Sequence, residues 1–185
     1  MVMIHKEKMI SNFNGTIIDI ETIGNFNKSY EDSRRYANIV PVIFGYMSTE
    51  SIQIHCAKNV DSLEKLKKIM ADELSTLRKP FYAFNSDFER STFFHSLNKQ
   101  ILFEGELNKE KFEPKWRVVT ELKIPQYNDP FNDVGLKCSE AWQNGNLKDA
   151  IAHNRSCLLK ERDILLKRGF RSPDNLKLIK TVPFA

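Results

Sequence analysis

The first ordered pattern along the chain lies at residues 16–22, where Ile17, Ile18 and Ile20 make an apolar run that Asp19 and Glu21 interrupt. Side chains alternate across a strand, so Asp19 and Glu21 share one face while Ile18 and Ile20 take the other. Residues 24–36 are polar and irregular. Residues 38–46 are β-branched and apolar, and residues 51–56 alternate with Ile52 and Ile54 on one face. Only Met47-Ser48-Thr49-Glu50 separates these two runs, which predicts an antiparallel hairpin. Pro41 cannot donate to a ladder and therefore points to an edge or a bulge. Leu63, Leu66, Ile69, Met70 and Leu74 recur at helical spacing and predict an amphipathic helix over 61–77, with Asp61 or Ser62 as its cap. Residues 80–84 read as a short buried strand that runs into a helix reaching Leu97. Between 102 and 130 the apolar residues are scattered among charges and prolines, and a short strand and a short helix fit equally. Beyond Gly135 the pattern predicts a short helix over 136–142, a break at Asn144-Gly145-Asn146, and a long helix over 147–168 that Gly169 ends. The stripe of that helix is Ala150, Ile151, Cys157, Leu158, Glu161 and Leu165.

Composition narrows the class. With 185 residues, 41% of them apolar and 28% charged, the chain fits one soluble domain spanning 1–185. Residues 1–11 and the Lys-rich tail 170–185 are expected to be less ordered than the body. No signal-peptide core or membrane-length apolar run is present, which points to the cytoplasm and away from membranes. Three cysteines, Cys56, Cys138 and Cys157, are odd in number and lack close-pair zinc spacing, so reduced thiols are expected. The net charge is +4, from 28 basic and 24 acidic side chains. That balance is compatible with a polyanionic partner without forming a basic arm.

The candidate chemistry starts from Asp19 and Glu21. Two carboxylates about 6 to 7 Å apart on one strand face repel when buried, unless a cation sits between them. Hard divalent ions take oxygen ligands, so Mg²⁺ or Mn²⁺ fits such a pair. The alternative is an exposed strand end whose acids serve solubility.

The order of elements, with Asp19-x-Glu21 on a first strand, a hairpin, a helix, a short strand entering Asn85-x-x-Phe88-Glu89 and a His-containing C-terminal helix, resembles the ribonuclease H-like superfamily of DEDD exonucleases. The likeness covers about residues 13–168, and Trp142 to Asn146 also looks like the turn before that family's last motif. The second motif of the family reads roughly Asn-x-x-Phe-Asp. Here Glu89 replaces the Asp, a hard oxygen donor one methylene longer. The competing reading makes Asn85 and Asp87 capping and turn residues and puts Glu89 on a solvated first helical turn. The last motif, Tyr-x-x-x-Asp or His-x-x-x-x-Asp, aligns His153 with the aromatic or imidazole and Cys157 or Leu158 with the missing acid. Glu161, one turn beyond Cys157, shares the His153 face and offers a substitute carboxylate. Cys157 is a poor Mg²⁺ ligand but suits a softer ion such as Zn²⁺; otherwise it is a small buried hydrophobe.

The resemblance implies an α/β fold with a ribonuclease H-like mixed sheet, an antiparallel hairpin plus parallel strands, flanked by helices. It also implies a metal-dependent nuclease acting on DNA or RNA, expected to be a 3′–5′ exonuclease. Asp19, Glu21, Glu89 and Glu161 would hold two Mg²⁺ or Mn²⁺ ions, His153 would serve the attacking water, and Thr22, Asn85, Phe88 and Asn154 would grip the nucleic acid, with Phe26 a second candidate for stacking. The displaced fourth acid supports an alternative, a nucleic-acid-binding or regulatory module of the same fold without turnover, and a third reading is a domain of the same fold acting on protein partners. Asp129 and Asp133 read as loop formers.

Overall fold

The run of β-branched residues around Asp19 becomes the centre of a sheet. In the computed structural model, which describes residues 1–180, strand β2 (Thr16–Gly24) lies between the hairpin strand β3 (Ile39–Met47) and β5 (Phe81–Ala83). Strand β4 (Ser51–Ala57) follows β3, and β1 (Val2–Lys8) and β6 (Gly105–Glu106) form the two edges, giving the order β1-β4-β3-β2-β5-β6. Pairing is antiparallel from β1 through β2, whereas β2, β5 and β6 run parallel. The protein is thus α/β with a six-stranded mixed sheet, and five α-helices flank it among the described residues.

The expected hairpin is present, and Pro41 sits where its missing N–H does least harm. The β2–β3 register shifts between Glu21 and Thr22, opposite that stretch, and the β3–β4 ladder spans only Ile43 to Met47. Helix α1 (Leu63–Thr76) buries Leu66, Met70 and Leu74 against β3 and β4. Helix α2 (Ser86–Leu97) leaves the end of β5 and packs beside α1. The unassigned 102–130 stretch contains both candidate elements, since β6 forms there together with a short helix α3 (Lys115–Glu121). Helix α4 (Gly135–Gln143) and the long α5 (Leu147–Arg168) pack together, and both lie on β2.

Both termini carry more order than their composition suggested. Residues 2–8 pair along the whole of β4. Beyond α5, Arg171 exchanges two backbone hydrogen bonds with Glu106, and the Ile179 N–H donates to Ser33 Oγ at 2.8 Å. Residues 181–185 of the predicted tail lie outside the described residues.

Gly45 sets how close α5 comes to the sheet. It pairs with Asp19 in the β2–β3 register, and a Cβ there would collide with Asn154 Oδ1 and crowd Leu158 Cδ1 at 3.1 Å. The missing side chain therefore lets α5 lay its polar residues against Asp19. Gly45→Ala should lower stability by about 1–3 kcal/mol, the scale of overpacking a tight core. A shift of the urea midpoint at unchanged slope would check this, and an unaltered midpoint would show that α5 can retreat without cost.

Candidate active site

The site lies where β2 ends beside the start of α2 and the middle of α5. Asp19 and Glu21 project together from β2, as alternation requires, and both are buried. On the other face Ile18 and Ile20 enter the core. Glu89, on the first turn of α2, is 4% exposed and its Oε2 has no hydrogen-bond partner. Glu161, one turn beyond Cys157 on α5, is fully buried with its Oε2 likewise unpartnered. The four expected metal-binding carboxylates therefore converge from β2, α2 and α5. Asp87, the more conspicuous acid of the second motif, faces away and pairs with Arg90 at 2.6 Å and Lys111 at 3.5 Å.

One ammonium enters this cluster. Lys115 Nζ, from the first residue of α3, donates to Asp19 Oδ1 at 3.2 Å and to Glu161 Oε1 at 2.5 Å. Burial opposes its charge, but Asp19, Cys157 and Glu161 around it hold the ammonium well above its ordinary range. Asn154 completes the Asp19 shell by donating from Nδ2 to Oδ2 at 2.7 Å. Nothing in the sequence marked Lys115, because it lies in a stretch without periodicity.

Burial dominates the acids. It pushes the Glu21 carboxyl up to about 7, with the Asp19 charge adding to the effect and His153 opposing it. Burial also raises Glu89, where Asp19 and Glu161 reinforce it, and Glu161, where Lys115 opposes it. Four carboxylates against one lysine leave an excess of buried negative charge, which protons or metal cations must offset.

A second layer orders His153. Its Nδ1 is 2.8 Å from Asp129 Oδ1, and Asp129 Oδ2 accepts from Lys160 Nζ at 2.7 Å, with all three side chains buried. Lys160 also donates to Asp133 Oδ1 at 2.8 Å. Burial alone would raise the Asp129 carboxyl, but His153 and Lys160 hold it well below the usual carboxylate range. Burial would likewise depress the imidazole, and Cys157, Asp129 and Glu21 overcome it to favour the imidazolium. The far nitrogen, Nε2, is 3.7 Å from Glu21 Oε1 and 3.7 Å from Cys157 Sγ. Asp129 is a loop former too, since it accepts from the N–H groups of Phe131 and Asp133 at 2.9 Å. Its sequence reading captured the turn and missed the imidazole it steadies.

A cavity of about 320 Å³ opens onto these groups, lined by Asp19, Glu21, Glu89, Lys115, His153 and Cys157. Its mouth is aromatic: Phe26, Tyr36 and Phe88 meet edge to face at 5.5 to 6.0 Å, and Phe84, Phe112 and Arg35 complete the rim. Of the residues expected to grip nucleic acid, Asn85 and Phe88 line this cavity and Thr22 does not. Asn154 is fully buried and committed to Asp19, so its place is in the support of the carboxylates and not on a ligand. Comparison with protein-family models, curated proteins and solved structures finds no match in any of the three.

The raised Glu21 carboxyl gives a stability signature. A carboxyl whose folded value lies above its ordinary 4.5 favours the native state fully below pH 4.5 and loses that contribution as pH rises through about 7. Glu89 and Glu161 act with the same sign. In metal-free buffer the protein should therefore lose stability between pH 4.5 and 7, and Glu21→Gln should flatten that fall by up to roughly 3 kcal/mol. Urea midpoints at the two pH values check it, and equal slopes for the two proteins would place the burial penalty elsewhere.

Proposed function

We propose that the protein is a divalent-metal-dependent phosphodiesterase acting on nucleic acid, with the ribonuclease H-like fold and a 3′–5′ exonuclease activity. The observation that carries the reading is the convergence of Asp19, Glu21, Glu89 and Glu161 from β2, α2 and α5, the first three lining an open cavity and Glu161 fully buried beside them. Their donors are hard oxygens, two of which lack any partner, and this donor set fits Mg²⁺ or Mn²⁺. The sheet order supports the fold assignment: beyond the edge strand β1, a hairpin antiparallel to the acid-bearing strand is followed on the other side by two parallel strands.

When bound, such ions activate a water and neutralise charge on the scissile phosphate and the departing 3′ oxygen. Asp19 and Glu21 would hold them from β2, with Glu89 and Glu161 closing the site from the helices. Lys115 adds a fixed positive charge beside Asp19 that suits a phosphate oxygen. His153, steadied by Asp129, would orient the attacking water. Phe26, Phe88 and Phe112 offer ring faces and edges to unstacked bases, with Arg35 near them.

Lys115 and Cys157 favour a second reading, a nucleic-acid-binding module of the same fold without turnover. Lys115 already satisfies one oxygen each of Asp19 and Glu161, and Cys157 stands where the family pattern places an acid. Binding would then be salt-sensitive and unaccompanied by hydrolysis.

End-labelled single- and double-stranded DNA and RNA, incubated with Mn²⁺ or Mg²⁺, test the first reading. Shortening from one end should appear, vanish in EDTA and fall on the order of 100-fold or more in Asp19→Asn, the scale of losing a group that stabilises transition-state charge. Intact substrates throughout, from folded protein, would select the binding module. Lys115→Met separates the readings independently: Mn²⁺ should protect it against thermal unfolding more than it protects wild type if the ammonium occupies a cation position. Equal protection would show that the lysine and the ion do not compete.

A further inference from the structure

Glu21, His153 and Cys157 form a donor set of a different chemical kind from the four carboxylates. One atom from each, a carboxylate oxygen, the imidazole Nε2 and the thiol sulfur, lie within 4.8 Å of one another, and all three residues are buried. We propose that these three side chains bind a single thiophilic transition-metal ion of the Zn²⁺ class, with the fourth position open to the cavity.

Four features of the molecule support this site. The first is distance. A tetrahedral ion with Zn–N and Zn–S bonds of ordinary length separates its nitrogen and sulfur ligands by about 3.5 Å, and His153 Nε2 lies 3.7 Å from Cys157 Sγ and 3.7 Å from Glu21 Oε1. The second is the helical spacing of His153 and Cys157, which at i and i+4 stand one above the other on one face of α5. The third is the outer shell. A metal-binding imidazole characteristically donates its other N–H to a carboxylate, and here Asp129 accepts at Nδ1 at 2.8 Å while Lys160 fixes Asp129 at 2.7 Å. That bond directs Nε2 toward Glu21 and Cys157. The fourth is selectivity. Imidazole and thiolate favour zinc-like ions over Mg²⁺, whereas Lys115 already engages Asp19 and Glu161 and leaves Glu21 as the carboxylate beside the softer pair.

On binding, the thiol proton and any proton on Nε2 leave to solvent, so both groups enter as ligands: thiolate and neutral imidazole. The cavity supplies the entry path, since all three residues line it. This site goes beyond the nuclease reading and does not depend on it. Glu21 belongs to both donor sets, however, so a thiophilic ion there competes with any hard ion that needs the same carboxylate.

The test is titration of the full-length metal-free protein with Co²⁺ and Zn²⁺, reading cobalt absorption and zinc affinity. Binding of one Co²⁺ with thiolate-to-metal charge-transfer absorption, displaced by Zn²⁺ and indifferent to millimolar Mg²⁺, is the expected result. Cys157→Ser should abolish that absorption and weaken Zn²⁺ at least 100-fold, more than the roughly 10- to 100-fold expected for the outer-shell variant Asp129→Asn. Cys157→Asp, which keeps a ligand but hardens it, should shift preference from Zn²⁺ toward Mn²⁺. Circular dichroism confirms that each variant is folded, and Glu21→Gln provides a second ligand deletion should one of them unfold. Cobalt bound without thiolate absorption, or Zn²⁺ affinity unchanged in folded Cys157→Ser, overturns the site. Because the readout is metal binding, failure to cut nucleic acid with Mg²⁺ or Mn²⁺ bears only on the nuclease reading.

Discussion

The structure turns on buried negative charge at the junction of β2 and α5. Asp19, Glu21, Glu89 and Glu161 are each less than a tenth exposed, and an isolated carboxylate in such surroundings costs several kcal/mol unless it is paired, protonated or bound to a cation. Much of the local architecture follows from that constraint. Gly45 omits a side chain so that α5 can approach, Asn154 uses the approach to donate to Asp19, and Lys115 reaches in from a seven-residue helix to neutralise part of the charge. Such a cluster is expensive as a device for stability alone, since hydrophobic residues of similar volume would fill the same space at least as well. Its retention is understandable when the charge is used to hold something.

The same tension explains the composition of α5. A helix packed on a sheet ordinarily turns an apolar stripe inward, yet here His153, Asn154, Ser156, Cys157, Lys160 and Glu161 are all buried beside Ala150, Leu158 and Ile164. Four of the polar members find their partners in two groups, although Asn154 Oδ1 and Glu161 Oε2 remain without one. Asn154 donates to Asp19 of β2 and Glu161 accepts from Lys115, while His153 and Lys160 meet the loop acids Asp129 and Asp133. Asp129 links loop to helix with both oxygens in use, so the loop before α4 and the middle of α5 are coupled. The imidazole stands between the layers, with one nitrogen bound to the supporting acid and the other facing the cavity.

How much of this could be read from the chain depends on the residue. The Asp19 and Glu21 ledge, the hairpin, α1, β5 and the span of α5 follow from periodicity, because in each a repeating apolar position faces one core. Preferring Glu89 to Asp87 depended on motif position, and the structure puts Glu89 in the cluster and Asp87 on Arg90 and Lys111. Lys115 left no local trace, since its partners Asp19 and Glu161 are 96 and 46 residues away. Asn154 carried a misleading one: a polar residue next to a candidate catalytic histidine suggested ligand contact, whereas helical geometry turns it into the sheet. The N-terminal strand was obscured because its last six residues alternate between half-buried and exposed positions, as befits an edge.

What divides the site chemically is the position of Cys157. An acid there would join Asp19, Glu21 and Glu89 in a uniformly hard oxygen shell, and the cluster would select ions by charge density. The thiol instead faces His153 Nε2 across 3.7 Å, and the lining of the cavity becomes hard on the side of Asp19 and Glu89 and soft on the side of His153. Glu21 lies at the boundary. Its carboxyl is held near neutrality by burial and by Asp19 while His153 draws it toward ionisation, so it responds to whichever cation arrives. Lys115 weights the balance, because an ammonium fixed on Asp19 and Glu161 lowers the charge available to a hard ion, while it makes no hydrogen bond to Glu21, His153 or Cys157. The thiol of Cys157 supplies a soft donor beside His153, and Lys115 occupies one oxygen each of Asp19 and Glu161, so both residues bear on which cation the carboxylates can hold.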